Sequence, residues 1–443
     1  MMHNAVMQGS GVEWIGAIPQ GWKIRIIKRE FDIKLGKMLQ PFQKTELDTE
    51  EYYLKTSNVY WDGVEINDIK KMWFSPLDKL NTELQYNDLL VCEGGDVGRS
   101  ALWKEEITPC YIQNAINRVR PIHHCSTKFL YYWLFLLKHT GYIDAMVSRI
   151  TIAHLTAEKL ERLIFLSPPI LEQQAIAQYL ELRCGKLDAI IAIKQQQIKA
   201  LDALRQSIIF HAVTKGLDDF VPLIDSGVEW LGEIPQGWKV KIIKREFGVK
   251  LGKMLQPLQK SELDSEEYYL KTSNIYWEGV DIANINKMWF SPLDKLNTEL
   301  QLNDLLVCEG GDVGRSTLWK EEITPCYIQN AINRVRPIHH CSTKFLYYWL
   351  FLLKHTGYID AMVSRITIAH LTAEKLERLI FLLPPSSDQQ RIADHLDQET
   401  QRLNALKENL SQQIRTLQAY KKALIYECVT GKKRINADVL NAG

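Results

Sequence analysis

The side chains of this chain that could do chemistry suit hydrogen bonding and charge pairing rather than covalent catalysis. The first group lies in the segment KLGKMLQPFQK, residues 34–44, where Gly36 and Pro41 interrupt regular structure. Long side chains on such a loop can reach base edges and phosphates in a nucleic-acid groove, although a solvated turn would have the same composition. The candidates in this loop are Lys37, Gln40, Gln43 and Lys44.

Three further clusters carry donors and acceptors of the same kinds. Residues 56–61, TSNVYW, offer Ser57, Asn58 and Tyr60, whose polar groups could instead be tied to the local backbone. The glycine-rich turn at residues 94–100 presents Arg99, which could reach guanine or phosphate, or pair within a tight hairpin with Asp96 or Glu93. The remaining candidates are Arg118 on a predicted strand, and Arg149, Thr151 and His154 in the segment SRITIAH, where His154 could simply cap a helix.

Motifs of covalent and cofactor chemistry are missing from the sequence. The glycine-rich turn lacks the Gly-Lys-Ser/Thr of a phosphate-binding loop, and no two of the eight cysteines form a C-x-x-C pair. The segments SPPI (167–170) and LPPS (383–386) lack the aromatic residue with which an adenine methyltransferase holds a flipped base. We therefore expect a protein without catalytic residues and without a metal site.

Residues 10–166 and 226–382 are two copies of one sequence at an offset of 216 (226 − 10), differing at 17 of 157 aligned positions. Residues 102–166 recur without change as 318–382. Whatever one copy binds, the other should bind as well. The second copy carries the equivalent candidates at Lys253, Gln256, Gln259, Lys260, Ser273, Asn274, Tyr276, Arg315, Arg334, Arg365, Thr367 and His370.

Composition and patterning predict a soluble, reduced, cytoplasmic protein of several domains. The formal charge is only +1, so any charge that binds nucleic acid must be arranged locally. The longest aromatic and aliphatic run, FLYYWLFLL (129–137), is too short to span a membrane and is expected to be a core helix. Short β-rich runs alternate with helical stretches in each repeat, which predicts an α+β fold. The predicted limits are 10–167 and 226–383 for two globular domains, and 168–215 and 384–432 for two helical spacers.

Each helical spacer is expected to start after a Pro-Pro pair and to carry a heptad repeat. In the second spacer a leucine recurs every seven residues from Leu396 to Leu424, and in the first spacer Lys194 interrupts an otherwise similar row. Because the link between the spacer and the second repeat is short, an antiparallel coiled coil is favoured, with the two domains related by an approximate two-fold axis. The assigned second row of inward positions comprises Ile176, Ile190, Leu204, Ile392, Leu406 and Tyr420.

An ordered set of segments, present in both copies, resembles the DNA-specificity subunits of type I restriction-modification systems. It consists of GVEWIGAIPQGWK (11–23), YLKTSNVYWDG (53–63), NDLLVCEGGDVGRSALW (87–103), IQNAINRVRP (112–121), EQQAIAQYL (172–180) and QSIIFHAVTKGL (206–217). The resemblance covers nearly all of the chain. It implies two target-recognition domains, each reading half of a bipartite DNA site, and two helical regions that dock methyltransferase subunits.

The near identity of the two repeats departs from most members of that family, whose recognition domains differ. Identical readers related by a two-fold axis read the same word on opposite strands, which predicts a palindromic site with an unread spacer. The resemblance implies double-stranded DNA and two methyltransferase subunits as partners, with two restriction subunits as optional ones. It places S-adenosylmethionine, for adenine N6 methylation, in the methyltransferase, and ATP and Mg in the restriction subunit. The alternatives are a fragment of a self-sufficient restriction-methylation enzyme and a coiled-coil adaptor that reads no DNA.

Overall fold

A computed structural model describes residues 6–147, 154–363 and 370–435 of the chain. The chain divides into two units, Met1–Lys194 with Ser411–Gly443, and Gln195–Leu410. Each unit therefore contains one repeat together with part of each long helix. The predicted domain limits at 167 and 383 stay predictions.

The first repeat alternates short strands and short helices. Its strands are β1 (Met7–Gly9), β2 (Ala17–Pro19), β3 (Lys23–Ile26), β4 (Phe31–Leu35), β5 (Thr49–Leu54), β6 (Val59–Tyr60), β7 (Gly63–Val64), β8 (Lys70–Phe74), β9 (Leu89–Cys92), β10 (Ser100–Leu102), β11 (Tyr111–Ile112), β12 (Ile116–Pro121) and β13 (Ile164–Ser167). Its helices are α1 (Pro76–Thr82), α2 (Thr127–His139), α3 (Tyr142–Val147) and α4 (Ala157–Arg162), followed by the long α5 (Ile170–Lys215).

The second repeat has the same elements in the same order. Its strands are β14 (Leu223–Asp225), β15 (Glu233–Pro235), β16 (Lys239–Ile242), β17 (Phe247–Leu251), β18 (Ser265–Leu270), β19 (Ile275–Tyr276), β20 (Gly279–Val280), β21 (Asn286–Phe290), β22 (Leu305–Cys308), β23 (Ser316–Leu318), β24 (Tyr327–Ile328), β25 (Ile332–Pro337) and β26 (Ile380–Leu383). Its helices are α6 (Pro292–Thr298), α7 (Thr343–His355), α8 (Tyr358–Val363) and α9 (Ala373–Arg378), followed by the long α10 (Ser386–Val429).

A four-stranded antiparallel sheet forms the centre of each repeat, in the order β10-β9-β12-β4 and β23-β22-β25-β17. Beside it lies a three-stranded sheet, β11-β5-β8 or β24-β18-β21. Alternation along the strands sends one set of side chains towards the aromatic helix and the other set to the opposite face. In β12, for example, Val119 joins the main core while Arg118 and Arg120 lie on the opposite face.

The aromatic run is the core helix that the sequence predicts. Ser126 caps α2 by accepting a hydrogen bond from the backbone N–H of Phe129. Phe129, Trp133 and Leu137 are fully buried against the central sheet and against α5. Burial of each such side chain stabilises the fold by roughly 1.5–3 kcal/mol relative to an exposed one. The equivalent helix α7 has the same cap and the same burial.

The two long helices begin directly after the Pro-Pro pairs and pack against each other within each unit. In the first unit Asp188 of α5 accepts from Lys421 of α10 at 2.7 Å, and Lys194 donates to Gln413. Residue numbers therefore rise on one helix as they fall on the other, so these segments are antiparallel, as predicted. In the second unit Lys407 donates to Asp202 at 2.5 Å, and further along α5 the buried residues from 209 to 213 share a core with 392–396 of α10, in the same sense.

One of the two inward rows assigned to these helices is confirmed only near the start of each helix, at Ile176 and Ile392, which are each 1% exposed. Leu396, Leu403 and Leu424 are buried, but four members of the assigned second row are exposed: Ile190, Leu204, Leu406 and Tyr420. On α5 the inward positions fall one residue later, at Cys184, Ile191 and Arg205. A heptad alternates steps of three and four residues, so a single row of leucines is compatible with a second row on either side. Only the neighbouring helix and domain decide between them.

Candidate nucleic-acid interface

The loop between β4 and β5, residues 36–48, is held in one shape by the carboxylate of Asp48. That carboxylate accepts hydrogen bonds from the backbone N–H groups of Lys44 and Thr45, from the Thr45 hydroxyl and from the Gln40 amide. The Thr45 hydroxyl, followed by the Lys44 N–H, lowers the pKa of Asp48 to about 2. The loop is therefore structured by internal contacts, although most of its residues are exposed.

The polar candidates in this loop divide into an inward pair and an outward pair. Gln40 is 6% exposed, and its amide donates hydrogen bonds to the Asp48 carboxylate and to the Phe42 carbonyl. Lys37 forms an ion pair with Asp78 of α1. Gln43 and Lys44 are exposed. The second repeat repeats the division, with Gln256 and Lys253 inward and Gln259 and Lys260 outward. The outward members are the ones available to a ligand in this conformation.

Four apolar side chains of the same loop point into solvent, and sequence reasoning missed them. Met38, Leu39, Phe42 and Leu47 are 75%, 55%, 78% and 72% exposed, and Met254, Leu255, Leu258 and Leu263 repeat this display in the second copy. Large apolar groups exposed by an ordered loop are unusual for a free surface and are typical of surfaces that bind a partner. The signal in the sequence was MLQPF, an apolar cluster without helical or strand periodicity.

The structure brings Arg99 and Tyr60 together at a second surface. The Arg99 guanidinium lies 5.4 Å from the Tyr60 ring centre and donates to the Thr56 carbonyl at 2.7 Å. Ser57 and Tyr60 are exposed, whereas Asn58 is buried and its amide is tied to the backbone of Lys55 and Glu65. The buried Asn58 therefore shapes the turn from which its neighbours project.

The equivalent group in the second repeat has the same geometry. Arg315 lies 5.4 Å from the Tyr276 ring and donates to the Thr272 carbonyl at 2.8 Å. Ser273 is exposed and Asn274 is buried. Arg315 also approaches Asp312 at 3.7 Å, the hairpin pairing that the sequence left open for this arginine.

His154 lies against the same glycine-rich turn as Arg99. Its ring would be 3.4 Å from a Cβ placed on Gly94, and the backbone N–H of Leu155 donates to Glu93 at 2.9 Å. In the second repeat the His370 ring has the same relation to Gly310, and its Nδ1 is 3.9 Å from Glu309. The candidates Arg149, Thr151, Arg365 and Thr367 lie outside the described residues.

Arg118 is separate from these surfaces and largely internal. It is 4% exposed, forms an ion pair with Asp32 at 2.8 Å and donates to the Glu83 carbonyl at 3.4 Å. Its counterpart Arg334 is 7% exposed. Their roles as DNA contacts stay predictions, as do those of the other candidates.

Among the described residues, no group of three or more His, Cys, Asp or Glu side chains could hold a metal ion. Over the same ranges no helix is long and apolar enough to cross a membrane.

A family model described as Type I restriction modification DNA specificity domain matches the chain twice, over residues 19–203 and 237–416. The Type I restriction enzyme EcoBI specificity subunit of Escherichia coli is 22% identical over 318 residues, which cover 70% of this chain and 66% of that protein. The Type I restriction enzyme MjaVIII specificity subunit of Methanocaldococcus jannaschii is 22% identical over 435 residues, which cover 94% of each.

Solved structures share the fold at low sequence identity. A chain from work on complex assembly and conformational transition of the type I R-M system has a TM-score of 0.70 at 15% identity, covering 94% of this chain and 99% of that one. The HsdS subunit from Thermoanaerobacter tengcongensis has a TM-score of 0.53 at 15% identity, covering 94% and 98%. The mixed α and β fold class predicted from the sequence is thereby confirmed.

Proposed function

Because the chain belongs to the type I restriction-modification DNA specificity family, we propose that it is a non-catalytic subunit in which each repeat binds one half of a bipartite DNA site. We further propose that the two halves are inverted copies of one short sequence. The proposal follows from the family together with the near identity of the two repeats.

The observation that carries the palindromic site is that both repeats offer nearly the same contacts in the same geometry, with Leu258 in place of Phe42 as the one change among the exposed loop residues named above. The distance from the guanidinium to the tyrosine ring centre is 5.4 Å both for Arg99 and Tyr60 and for Arg315 and Tyr276. The loop 36–48 and its counterpart 252–264 each have a buried carboxylate, Asp48 or Asp264, and an exposed apolar tip. Two equal surfaces that bind opposite strands must read equal sequences in opposite directions. The bases between them would then remain unread.

Two surfaces in each repeat supply suitable chemistry. The exposed Gln43 and Lys44 offer an amide for a base edge and an ammonium group for a phosphate. The apolar tip, with Met38 and Phe42, could contact a thymine methyl group or wedge between base steps. Arg99, which stacks on Tyr60, could bind guanine or phosphate.

The proposed protein partners are two methyltransferase subunits that dock on the long helices, with two restriction subunits joining a complex that also cleaves DNA. Support comes from apolar side chains that α5 and α10 expose away from their shared seam, such as Ile190, Leu204, Leu406 and Tyr420. S-adenosylmethionine would be bound by the methyltransferase, and ATP with Mg by the restriction subunit.

Sequencing of modified adenines tests the proposal directly. We expect a host that expresses this chain with its methyltransferase partner to carry a methylated, gapped palindrome that disappears when only this chain is deleted. A gapped but asymmetric motif would keep the specificity function and overturn the palindrome. If no motif depended on the chain, a coiled-coil adaptor would be the better description.

A domain exchange provides the second test. Replacing residues 226–383 with the corresponding domain of a relative that reads a different sequence should change one half of the methylated motif and leave the other half intact. The reason is that each half is read by one repeat with its own contacts. Exchange of residues 10–167 is the matched control and should change the opposite half. A change in both halves after one exchange would contradict independent reading.

A cofactor measurement separates the proposal from a self-sufficient enzyme. The purified chain alone should neither bind S-adenosylmethionine nor methylate DNA, whereas addition of the methyltransferase should produce both activities. Methylation by the chain alone would overturn the non-catalytic assignment.

A further inference from the structure

The polar face of the central sheet holds an arginine whose surroundings differ between the two repeats. Arg118 on β12 lies opposite Lys34 in the strand register, and Arg334 on β25 lies opposite Lys250. Both arginines are more than nine-tenths buried. A buried guanidinium is costly unless an anion or several hydrogen bonds compensate its charge.

In the first repeat the compensating anion belongs to the protein. The Asp32 carboxylate receives a hydrogen bond from Arg118 Nη2 at 2.8 Å and lies 3.9 Å from the Lys34 ammonium group. The Asp32 side chain is 41% exposed, so this carboxylate occupies a place that opens to solvent. An oxyanion can therefore reach the buried arginine from outside.

In the second repeat glycine stands where the first repeat has Asp32. Gly248 removes the carboxylate, and among the described residues no Asp or Glu oxygen lies within 4.0 Å of Arg334 or of Lys250. Arg334 retains a hydrogen bond from Nη1 to the Glu299 carbonyl at 2.7 Å. The buried Nε has no partner in either arginine, so the repeats differ at Nη2, which donates to Asp32 in the first repeat only. The nearby Asp304 is held by Arg336 at 2.6 and 2.7 Å.

The space left by the missing carboxylate is open. A Cβ built on Gly248 would meet nothing closer than 3.9 Å, the distance to the Arg336 carbonyl and to Ile338. Burial, and after it the charge of Arg336, lowers the pKa of Arg334, and no Asp32 equivalent opposes this effect as it does for Arg118. A guanidinium whose Nη2 has lost its carboxylate partner, beside the exposed Lys250, suits a phosphate group.

We propose that the place of the missing carboxylate, between Arg334 and Lys250, is an oxyanion site that a DNA phosphate fills when DNA is bound. The second repeat then makes one phosphate contact that the first repeat replaces with its own Asp32. This inference rests on the proposed DNA-binding function. Phosphate contacts carry no sequence information, so the two repeats would still read the same bases. They would differ by one contact to the DNA backbone.

Exchange of the two residues between the repeats tests the site. Gly248→Asp should close it, and Asp32→Gly should create a second one in the first repeat. Measured on the chain assembled with its methyltransferase, the slope of log affinity for target DNA against log salt should become less steep by about 1 in Gly248→Asp and steeper by about 1 in Asp32→Gly. Val249→Ile, which exchanges the adjacent position without charge, should leave the slope unchanged.

A second measurement does not depend on DNA. Inorganic phosphate, compared with chloride at equal ionic strength, should raise the thermal unfolding midpoint of the wild-type chain more than that of Gly248→Asp and less than that of Asp32→Gly. If phosphate stabilises the variants in this order while wild-type DNA binding shows no sequence preference, the oxyanion site stands and the proposed function fails.

Other results overturn the inference. In one, phosphate stabilises the three chains in the expected order while the slope of log affinity against log salt is the same in all of them. That result would mean that a free ion binds at the site and that DNA does not use it. Equal phosphate stabilisation of all three chains would mean that no site exists at Arg334. The variants place in each repeat only a residue that its counterpart already accommodates at that position, so loss of folding is not expected to obscure the comparison.

Discussion

Replacement of Asp48 and Asp264 by alanine is expected to weaken binding of target DNA roughly tenfold or more while the domains remain folded, because an unsupported binding loop loses its preorganisation. Asp48 receives hydrogen bonds from the Thr45 hydroxyl, two backbone N–H groups and Gln40, so its removal frees the loop that displays the apolar tip. Asp264 holds the second loop through Gln256 and the N–H of Lys260. Fluorescence anisotropy of the assembled methyltransferase complex would measure the change.

Glu46→Ala with Glu262→Ala is the matched control for this double variant. Both glutamates are exposed residues of the same loops, so their removal changes charge equally without removing the support. The control should bind target DNA with nearly wild-type affinity. Equal loss in the control and in the Asp48→Ala, Asp264→Ala chain would show that negative charge, rather than loop order, matters.

Ionisation of the Asp48 carboxylate determines how low the pH can fall before the loop loses its order. The folded pKa of Asp48 is about 2, below its ordinary value of 3.8, so its stabilising contribution is present when the pH is well above 3.8 and is lost as the pH falls from there through about 2. The backbone N–H of Lys260 lowers the pKa of Asp264 in the same direction. Loop order should therefore not vary with pH near neutrality.

Gly36→Ala with Gly252→Ala is expected to destabilise the chain by about 1–3 kcal/mol per substitution, the usual effect of adding a group to a packed site. A Cβ on Gly36 would lie 2.3 Å from the carbonyl carbon and oxygen of Gln113, and Gly252 has the same relation to Gln329. These neighbours are backbone atoms and cannot rotate away. The close approach also fixes the start of the loop, where the backbones of Lys37 and Gln113 form an isolated parallel β-bridge.

A fall in the urea or thermal unfolding midpoint would measure this effect, with Gly185→Ala as the control. Gly185 lies within α5, and nothing is within 4 Å of its added Cβ. Alanine there should leave stability unchanged or raise it by up to about 1 kcal/mol, because glycine is unfavourable in a helix interior. Equal destabilisation by both kinds of substitution would contradict the close-approach argument.

Several elements could be predicted because their causes are local. Proline restricts both itself and the residue before it, and α5 and α10 begin at the residue after each Pro-Pro pair. The aromatic run is too densely apolar to remain exposed, and it forms the buried helices α2 and α7. The second inward row on the long helices was wrong at four of its six positions, because burial there depends on what packs beside the helices.

The candidate residues show the same division between local and tertiary causes. Sequence types singled out Gln40 and Arg118 as polar groups that could bind a ligand, but type alone does not say which way a side chain points. Asp48 draws Gln40 inward, and Asp32 and the Glu83 carbonyl do the same for Arg118. Conversely, Met38 and Phe42 are exposed because the loop turns around Asp48 instead of around an apolar centre.

By itself the sequence determined that there are two nearly identical repeats, a mixed fold, two long helices and membership of a DNA specificity family, because repetition, periodicity and ordered motifs are properties of the chain. Tertiary structure alone decided which candidates face solvent and which of the differences between the repeats changes the surroundings of a candidate residue. The exchange of Asp32 for Gly248 is one of 17 differences in the sequence. It gains meaning only because the strand register brings that position to a buried arginine, a contact 86 residues distant along the chain.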